Sequence, residues 1–141
     1  MDWKPVLTRS VVERILQAAV AAAQAQGWPV AIAVVDDGGH PLGMQRLDGC
    51  APLFAYVALE KARTAALGRA ESKAYEDIIN SGRPAFLSVP AVRAILEGAV
   101  PIVVAGHVIG AVGVSGVDSD LDVQVAQAGV AAIADIDPKR A

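Results

Sequence analysis

Cysteine is almost missing from this chain, and aromatic residues are scarce. Cys50 is the only thiol, so no disulfide can form within the chain, which is typical of proteins in a reducing compartment. Aromatic residues make up 4% of the sequence, whereas hydrophobic residues as a whole make up 54%. Alanine, valine, leucine and isoleucine must therefore fill the core, and the many alanines let backbones pack closely together.

The chain also lacks a basic excess and any long apolar run. Its 12 lysines and arginines stand against 15 acidic residues, a net charge of −3, which gives no electrostatic footprint for nucleic acid. No apolar run approaches the roughly 20 residues of a membrane-spanning helix. Residues Met1–Pro5 have neither the apolar core nor the cleavage site of a signal peptide. We therefore expect a cytoplasmic protein without a nucleic-acid or membrane partner.

Periodicity and turn residues predict eight elements in one domain over residues 1–141, a length that suits a single compact domain. Their order is α-β-β-α-α-β-β-α. Two hairpins separated by long crossovers favour an α+β fold, with a single antiparallel sheet flanked by helices. The predicted bounds are a helix capped by Thr8 or Ser10 and ending at Gly27, strands 30–35 and 41–46, helices 52–69 and 72–80, strands 99–105 and 108–115, and a helix from Asp118 or Ser119 to Asp137.

Two local details complete this prediction. Ser10 and Glu13 match the spacing of a capping box at the start of the first helix. The segment Ala85–Glu97 is ambiguous, with one or two helical turns expected to begin near Pro90.

The stretch Val34–Gly43 joins an apolar run to two aspartates, two glycines and a histidine. Asp37 begins strong turn chemistry between two strands. Neither His40 nor His107 has a Cys, His or Glu at zinc-ligand spacing, so no metal site is predicted. Each lone histidine is either an axial heme ligand or, more commonly, an exposed turn residue.

Lys61 lies on the helix that follows the first hairpin. Its neighbours three and four positions away carry no charge: Val57, Ala58, Thr64 and Ala65. A half-buried lysine stem is therefore expected. The lysine is then either an acid, base or anion anchor with a lowered pKa, or a snorkelling residue whose ammonium reaches water. Arg63, with Glu60 three residues away, is expected to form a surface ion pair instead.

A glycine-rich strand, Gly110–Gly116, leads into the last helix. Strand glycines mark the close approach of another backbone or of a ligand, and a helix N-terminus attracts anions such as a carboxylate. The three aspartates of that turn can satisfy the same helix end themselves. The following βαβ context of a dinucleotide fingerprint is missing, and Val123 occupies the position where a calcium loop needs glycine.

Three blocks of the chain, "AIAVVDDGGHPLGMQRLDG", "EKARTAALGR" and "PIVVAGHVIGAVGVSGVDSDLDVQVAQAG", resemble the GlcG/HbpS family over roughly residues 7 to 135. The resemblance implies a profilin-like domain, a homo-oligomer and, in some members, heme binding; it fixes no heme ligand. The positions that match the shared blocks are Asp36, Gly39, Arg46, Asp48, Lys61, Thr64, Gly113, Ser115, Gly116 and Asp122. They come from strand ends and helix faces that could line one cleft.

Three functions are compatible with these residues. The first is a small-ligand-binding domain that takes heme or a related anionic ligand in a cleft near Lys61. Its binding residues would be Arg46, Asp48, Thr64, Gly113, Ser115, Gly116 and His40. The low aromatic content argues mildly against a dedicated heme pocket.

The second is a cofactor-independent enzyme of the lyase, hydratase or isomerase type that acts on a small aromatic or hydroxy carboxylate. Lys61 and Arg46 would hold the carboxylate, and Asp36, Asp48 or Asp122 would be the base, so that Lys61, Asp36 and Asp122 are the candidate catalytic residues. The third is a non-enzymatic subunit that works through oligomerisation.

Overall fold

The computed structural model describes residues 1–140. Its elements are α1 (Arg9–Gln26), β1 (Ala31–Asp36), β2 (Pro41–Arg46), α2 (Leu53–Gly68), α3 (Ser72–Asn80), a 3-10 turn (Pro84–Ser88), β3 (Ala99–Val104), β4 (His107–Ser115) and α4 (Ser119–Ala131). The predicted order and the α+β class are confirmed. No helix within this part of the chain is long and apolar enough to cross a bilayer.

The four strands form one antiparallel sheet in the order β2-β1-β4-β3. The first five residues of β1 are all buried, because this strand lies inside the sheet and both of its faces are covered. β2 is an edge strand, and five of its six residues are exposed. The first hairpin therefore places a buried strand beside an exposed one.

Helices cover both faces of the sheet. On one face α1 and α4 pack against the larger aliphatic residues of the strands, such as Ile32, Val34 and Val112. On the other face α2 packs through alanines against the alanines of the strands. The expectation that alanine brings backbones together holds at Gly113, where an added Cβ would lie 2.2 Å from the carbonyl oxygen of Ala58 on α2.

The predicted capping box at the first helix is wrong. Ser10 lies inside α1, the N-cap is Thr8, and no side chain of this cap bonds to the helix. Glu13 instead accepts a hydrogen bond from Arg9 Nε at 2.9 Å, one turn before it. The helix is held by its packed apolar stripe, and Gly27 ends it as predicted in a left-handed conformation with a φ of 71°.

The segment between α3 and β3 also differs from expectation. Its helical turn is the 3-10 turn over Pro84–Ser88, before Pro90 rather than after it. Ala91 and Ala94 adopt left-handed conformations with φ of 68° and 47°, which cannot continue a helix. The last helix is likewise shorter than predicted and ends at Ala131.

Candidate functional site

Lys61 and Asp122 form a buried ion pair between α2 and α4. The Lys61 ammonium donates hydrogen bonds to Asp122 Oδ2 at 3.2 Å and to the carbonyl oxygen of Val114 at 3.1 Å. The second carboxylate oxygen of Asp122 accepts the backbone N–H of Val117 at 3.2 Å. The two side chains are only 3% and 1% exposed, so the lysine does not snorkel to water. One pair thus joins α2, the end of β4 and the first turn of α4.

Little space is left around the Lys61 ammonium. Gly98 has a φ of 142°, and a Cβ there would lie 2.6 Å from Lys61 Nζ, so a larger residue would displace the lysine. Burial raises the pKa of Asp122, and the Lys61 charge and the Val117 N–H oppose that rise without cancelling it. A buried carboxylate and ammonium at this distance can exchange a proton or anchor an anion, provided that a ligand reaches them.

Three predicted ligand-binding positions lie around the pair at the end of β4. Ser115 follows the carbonyl to which Lys61 bonds, and it is buried. Gly113 is covered by α2 as described above, and a Cβ at Gly116 would lie 2.6 Å from the carbonyl oxygen of Pro29. The space over both glycines is therefore occupied by the protein's own backbone.

Arg46 and Asp48 lie near the same end of the sheet. Arg46 pairs with Ala31 on β1, which pairs with Ser115 on β4, so Arg46 is two strands, about 10 Å, from Ser115. Burial raises the pKa of the Cys50 thiol, and the charges of Arg46 and Asp122 act on that thiol in opposite directions, which places all three in one neighbourhood. Asp48 lines an open groove of about 390 Å³ beside Trp28.

Asp36 and His40 lie at the other end of β1. Asp36 is five residues along the strand from Ala31, a distance of about 17 Å, so the structure does not bring it together with the Lys61–Asp122 pair. The chain therefore does not gather all the predicted positions in one cleft. The candidates divide into a cluster around Lys61 and a separate hairpin turn.

The hairpin turn is held by hydrogen bonds between its own residues. Asp36 Oδ1 accepts the backbone N–H groups of Gly38 and His40, both at 2.9 Å, and His40 Nδ1 lies 3.0 Å from the same oxygen. Burial raises the pKa of Asp36, but these hydrogen bonds outweigh it, and the pKa lies below its ordinary value. The His40 side chain is 77% exposed, as expected of a turn residue.

Arg63 braces this turn from α2. Its Nε donates to the carbonyl oxygen of Gly39 at 3.3 Å, and its Nη1 pairs with Glu60. The predicted pairing is present, but both side chains are half-buried, so it is not the surface ion pair that was expected. The bond to Gly39 links residues 24 positions apart, and no local spacing in the sequence indicates it.

Thr64 lines an apolar cleft that sequence reasoning missed. The cleft has a volume of about 170 Å³ and lies between α2, α3 and the segment that follows the 3-10 turn. Tyr75 and Phe86 stack beside it with ring centroids 5.3 Å apart. The available signal was that two of the chain's few aromatic residues lie close in the sequence, Tyr75 in the predicted helix 72–80 and Phe86 in the ambiguous segment after it. The remaining lining residues are Leu67, Gly68, Val89, Pro90 and Val92.

Metal coordination has no support in the described residues, among which no three His, Cys, Asp or Glu side chains cluster as ligands.

Comparison with known proteins relates this architecture to a family. Residues 7–131 match the family model described as "Haem degrading protein HbpS-like". The GlcG protein of Escherichia coli K12 is 52% identical over 115 residues, which cover 82% of this chain and 85% of GlcG. The crystal structure of HbpS superposes with a TM-score of 0.84 at 32% identity, covering 93% of this chain and 92% of HbpS.

A PduOC–heme complex superposes with a TM-score of 0.81 at 25% identity, covering 92% of this chain and 96% of PduOC. Because the family model spans most of the sequence and GlcG is so similar, the chain belongs to the HbpS-like family.

Proposed function

We propose that this protein binds heme or a related apolar ligand carrying carboxylates, in the cleft that Thr64 lines one helical turn after Lys61. The observation that carries the proposal is the chemistry of this cleft, whose lining is almost entirely apolar. The family description and the heme complex of the related PduOC support the ligand class.

The residues present fit the body and the carboxylates of heme. A flat apolar ligand finds aliphatic side chains from Leu67, Val89 and Val92 on its edges. Arg69 follows the lining residue Gly68, and Arg93 follows Val92, and both are exposed. Two arginines that adjoin lining residues in the sequence would suit two propionates, because arginine binds carboxylates in a bidentate manner. The cleft is smaller than a whole heme, so the ligand would stand partly outside it.

Fewer residues of the cleft suit the axial ligation of a heme iron. His40 does not line this cleft, and Tyr75 is the lining residue whose side chain belongs to a known class of heme ligand. Its hydroxyl donates to the carbonyl oxygen of Gly68 at 2.5 Å, a bond that iron ligation would have to replace. Bound heme would supply redox chemistry, and the cleft residues would hold its plane and its carboxylates.

Hemin titration followed by the Soret band tests this site. Val89→Asp places a charge in the apolar lining and should weaken binding at least tenfold, whereas Leu42→Asp, a comparably exposed residue on β2, should leave it unchanged. Arg93→Gln should weaken binding, whereas Arg83→Gln should not. Wild-type binding by Val89→Asp would refute this location, and loss of binding in His40→Ala would move the site to the hairpin turn.

A second candidate function is a cofactor-independent enzyme for small carboxylates. The observation in its favour is the Lys61–Asp122 pair, since a buried carboxylate with a raised pKa beside an ammonium suits proton transfer. Arg46 would hold the substrate carboxylate, and Asp122 or Asp48 would be the base. Asp36 lies too far away to act within one subunit.

Its test is turnover of small hydroxy and aromatic carboxylates. Asp122→Asn should abolish the reaction, and Arg46→Gln should raise KM more than it lowers kcat. Full activity in Asp122→Asn, with the fold verified by circular dichroism, would exclude this mechanism.

We further propose that the protein is a homo-oligomer. The edge strand β2 has one unpaired side, and exposed apolar residues occur on it and on α2: Leu42, Met44, Leu53 and Tyr56. Light scattering should give a multiple of 14.5 kDa. Met44→Lys with Tyr56→Lys should shift that mass towards the monomer, and a monomeric wild type would contradict the proposal.

A further inference from the structure

A cavity of about 270 Å³ lies on the other face of the sheet, between the two ends of the chain. The segment before α1 forms one wall, and the segment after α4 forms another. Its floor belongs to the buried core and consists of Leu7, Val11, Ile109 and Ile133. Gly110 lets this floor form, because a Cβ there would lie 2.7 Å from Leu7 Cδ1.

A second apolar depression, of about 420 Å³, continues from this cavity. The two share four lining residues: Val104, Ile133, Ile136 and Pro138. The depression extends past Val103 to Val130 at the end of α4, and all of its lining side chains are apolar. The two spaces together form one elongated groove, which we name the terminal groove.

Polar side chains occur at only one end of the terminal groove. Lys4 and Thr8 line the cavity beneath the N-terminal segment, together with Trp3. Lys4 pairs with Asp37, but both side chains are 42% exposed, and an exposed ion pair is weak enough to exchange its anion. The groove therefore offers an ammonium whose partner anion can be exchanged at one end, and aliphatic side chains along the rest.

We propose that the terminal groove binds a single-chain alkyl carboxylate, a ligand of the fatty-acid class, with its carboxylate at Lys4 and its chain directed towards Val103 and Val130. A carboxylate matches the ammonium, and a flexible alkyl chain matches a long apolar groove with no further polar side chain. This site is independent of the heme cleft, which lies on the α2 side of the sheet.

Trp3 provides the readout, since Trp28 is the only other tryptophan. In the Trp28→Phe variant, titration with hexanoate, octanoate and decanoate should change Trp3 emission saturably. Affinity should rise about two- to fourfold for each added methylene, as expected for burial of alkyl surface. The absence of a saturable response, or an affinity that does not depend on chain length, would overturn the proposal.

Matched variants test both ends of the groove. Lys4→Gln should weaken decanoate binding about fivefold, whereas Lys73→Gln, at an ion pair on α3, should not. Val103→Asp should weaken decanoate more than the shorter hexanoate, and the exposed Leu87→Asp should weaken neither. Equal binding of decanol and decanoate, or an unchanged affinity in Lys4→Gln, would refute the role of Lys4.

Discussion

Lys61 and Asp122 face each other at a position where both side chains are almost completely buried. Removing one partner leaves the other charge buried without a counter-charge. Lys61→Met should therefore lower the free energy of unfolding by about 3–5 kcal/mol. The double variant Lys61→Met with Asp122→Leu should lose less than the sum of the two single variants, because it strands no charge. Urea unfolding of all four proteins measures this coupling, and additive losses would show that the pair contributes nothing.

The sequence anticipated half of this pair. Uncharged neighbours of Lys61 at helical spacing predicted burial of its stem, because that face of the helix had to meet the sheet. Its partner is 61 positions away, and no local spacing indicates such a contact. By local spacing Asp122 was one of three aspartates at a helix start, and only the family resemblance singled it out as a candidate beside Lys61.

Asp36 makes stability depend on pH in a defined direction. Its pKa is lower in the folded protein, so its stabilising contribution is present above the ordinary aspartate pKa of about 3.9 and is lost as the pH falls through the folded value. Asp36→Asn should therefore be less stable than the wild type at pH 7 by about 1 kcal/mol. Chemical unfolding at pH 7, 5, 4 and 3 should show the gap closing, and a constant gap would contradict this assignment.

At the scale of elements, the bounds of helices and strands could be predicted where turn-forming residues mark their ends. β2 and α3 have the predicted bounds because proline, glycine and serine mark their ends. The segment after α3 has no periodic apolar pattern. Its path is set by the stacking of Phe86 on Tyr75 and by the backbone N–H of Glu97, which donates to Glu76 Oε2 on α3 at 3.1 Å. These contacts join distant parts of the chain, so the segment was ambiguous, and the apolar cleft that it lines was missed.

The left-handed alanines of this segment make a further prediction. A left-handed alanine costs roughly 1–2 kcal/mol, and glycine removes that cost while adding about 0.4–1 kcal/mol of chain entropy in the unfolded state. Ala91→Gly and Ala94→Gly should each stabilise the fold by about 0.5 kcal/mol. Ala21→Gly, at an exposed position in the interior of α1, should instead destabilise it by about 1 kcal/mol. Thermal unfolding separates the two signs, and destabilisation at Ala91 or Ala94 would exclude strain there.

For the molecule as a whole, the three layers depend on one close contact that glycine permits. The sequence marked Gly113 as a point of close approach but left open whether a backbone or a ligand approaches. It could not give the strand order β2-β1-β4-β3, in which β4 lies beneath α2, because the same element order allows several antiparallel sheets. In the structure α2 fills the position, with the Ala62 nitrogen 2.6 Å from where a Cβ would be.

Gly113→Ala should therefore push α2 off the sheet and lower the free energy of unfolding by about 3 kcal/mol, since neither backbone can give way. Gly129→Ala is the matched control, because its added Cβ would meet Ile15 and Ala19 on α1 only at 3.2–3.3 Å. In α4 the gain in helix propensity, about 1 kcal/mol, should offset that tight contact and leave stability nearly unchanged. Urea unfolding compares the two variants. If Gly113→Ala were as stable as Gly129→Ala, α2 would not be seated on β4. The bonds from Lys61 on α2 to Val114 on β4 and to Asp122 on α4 could then not form as described.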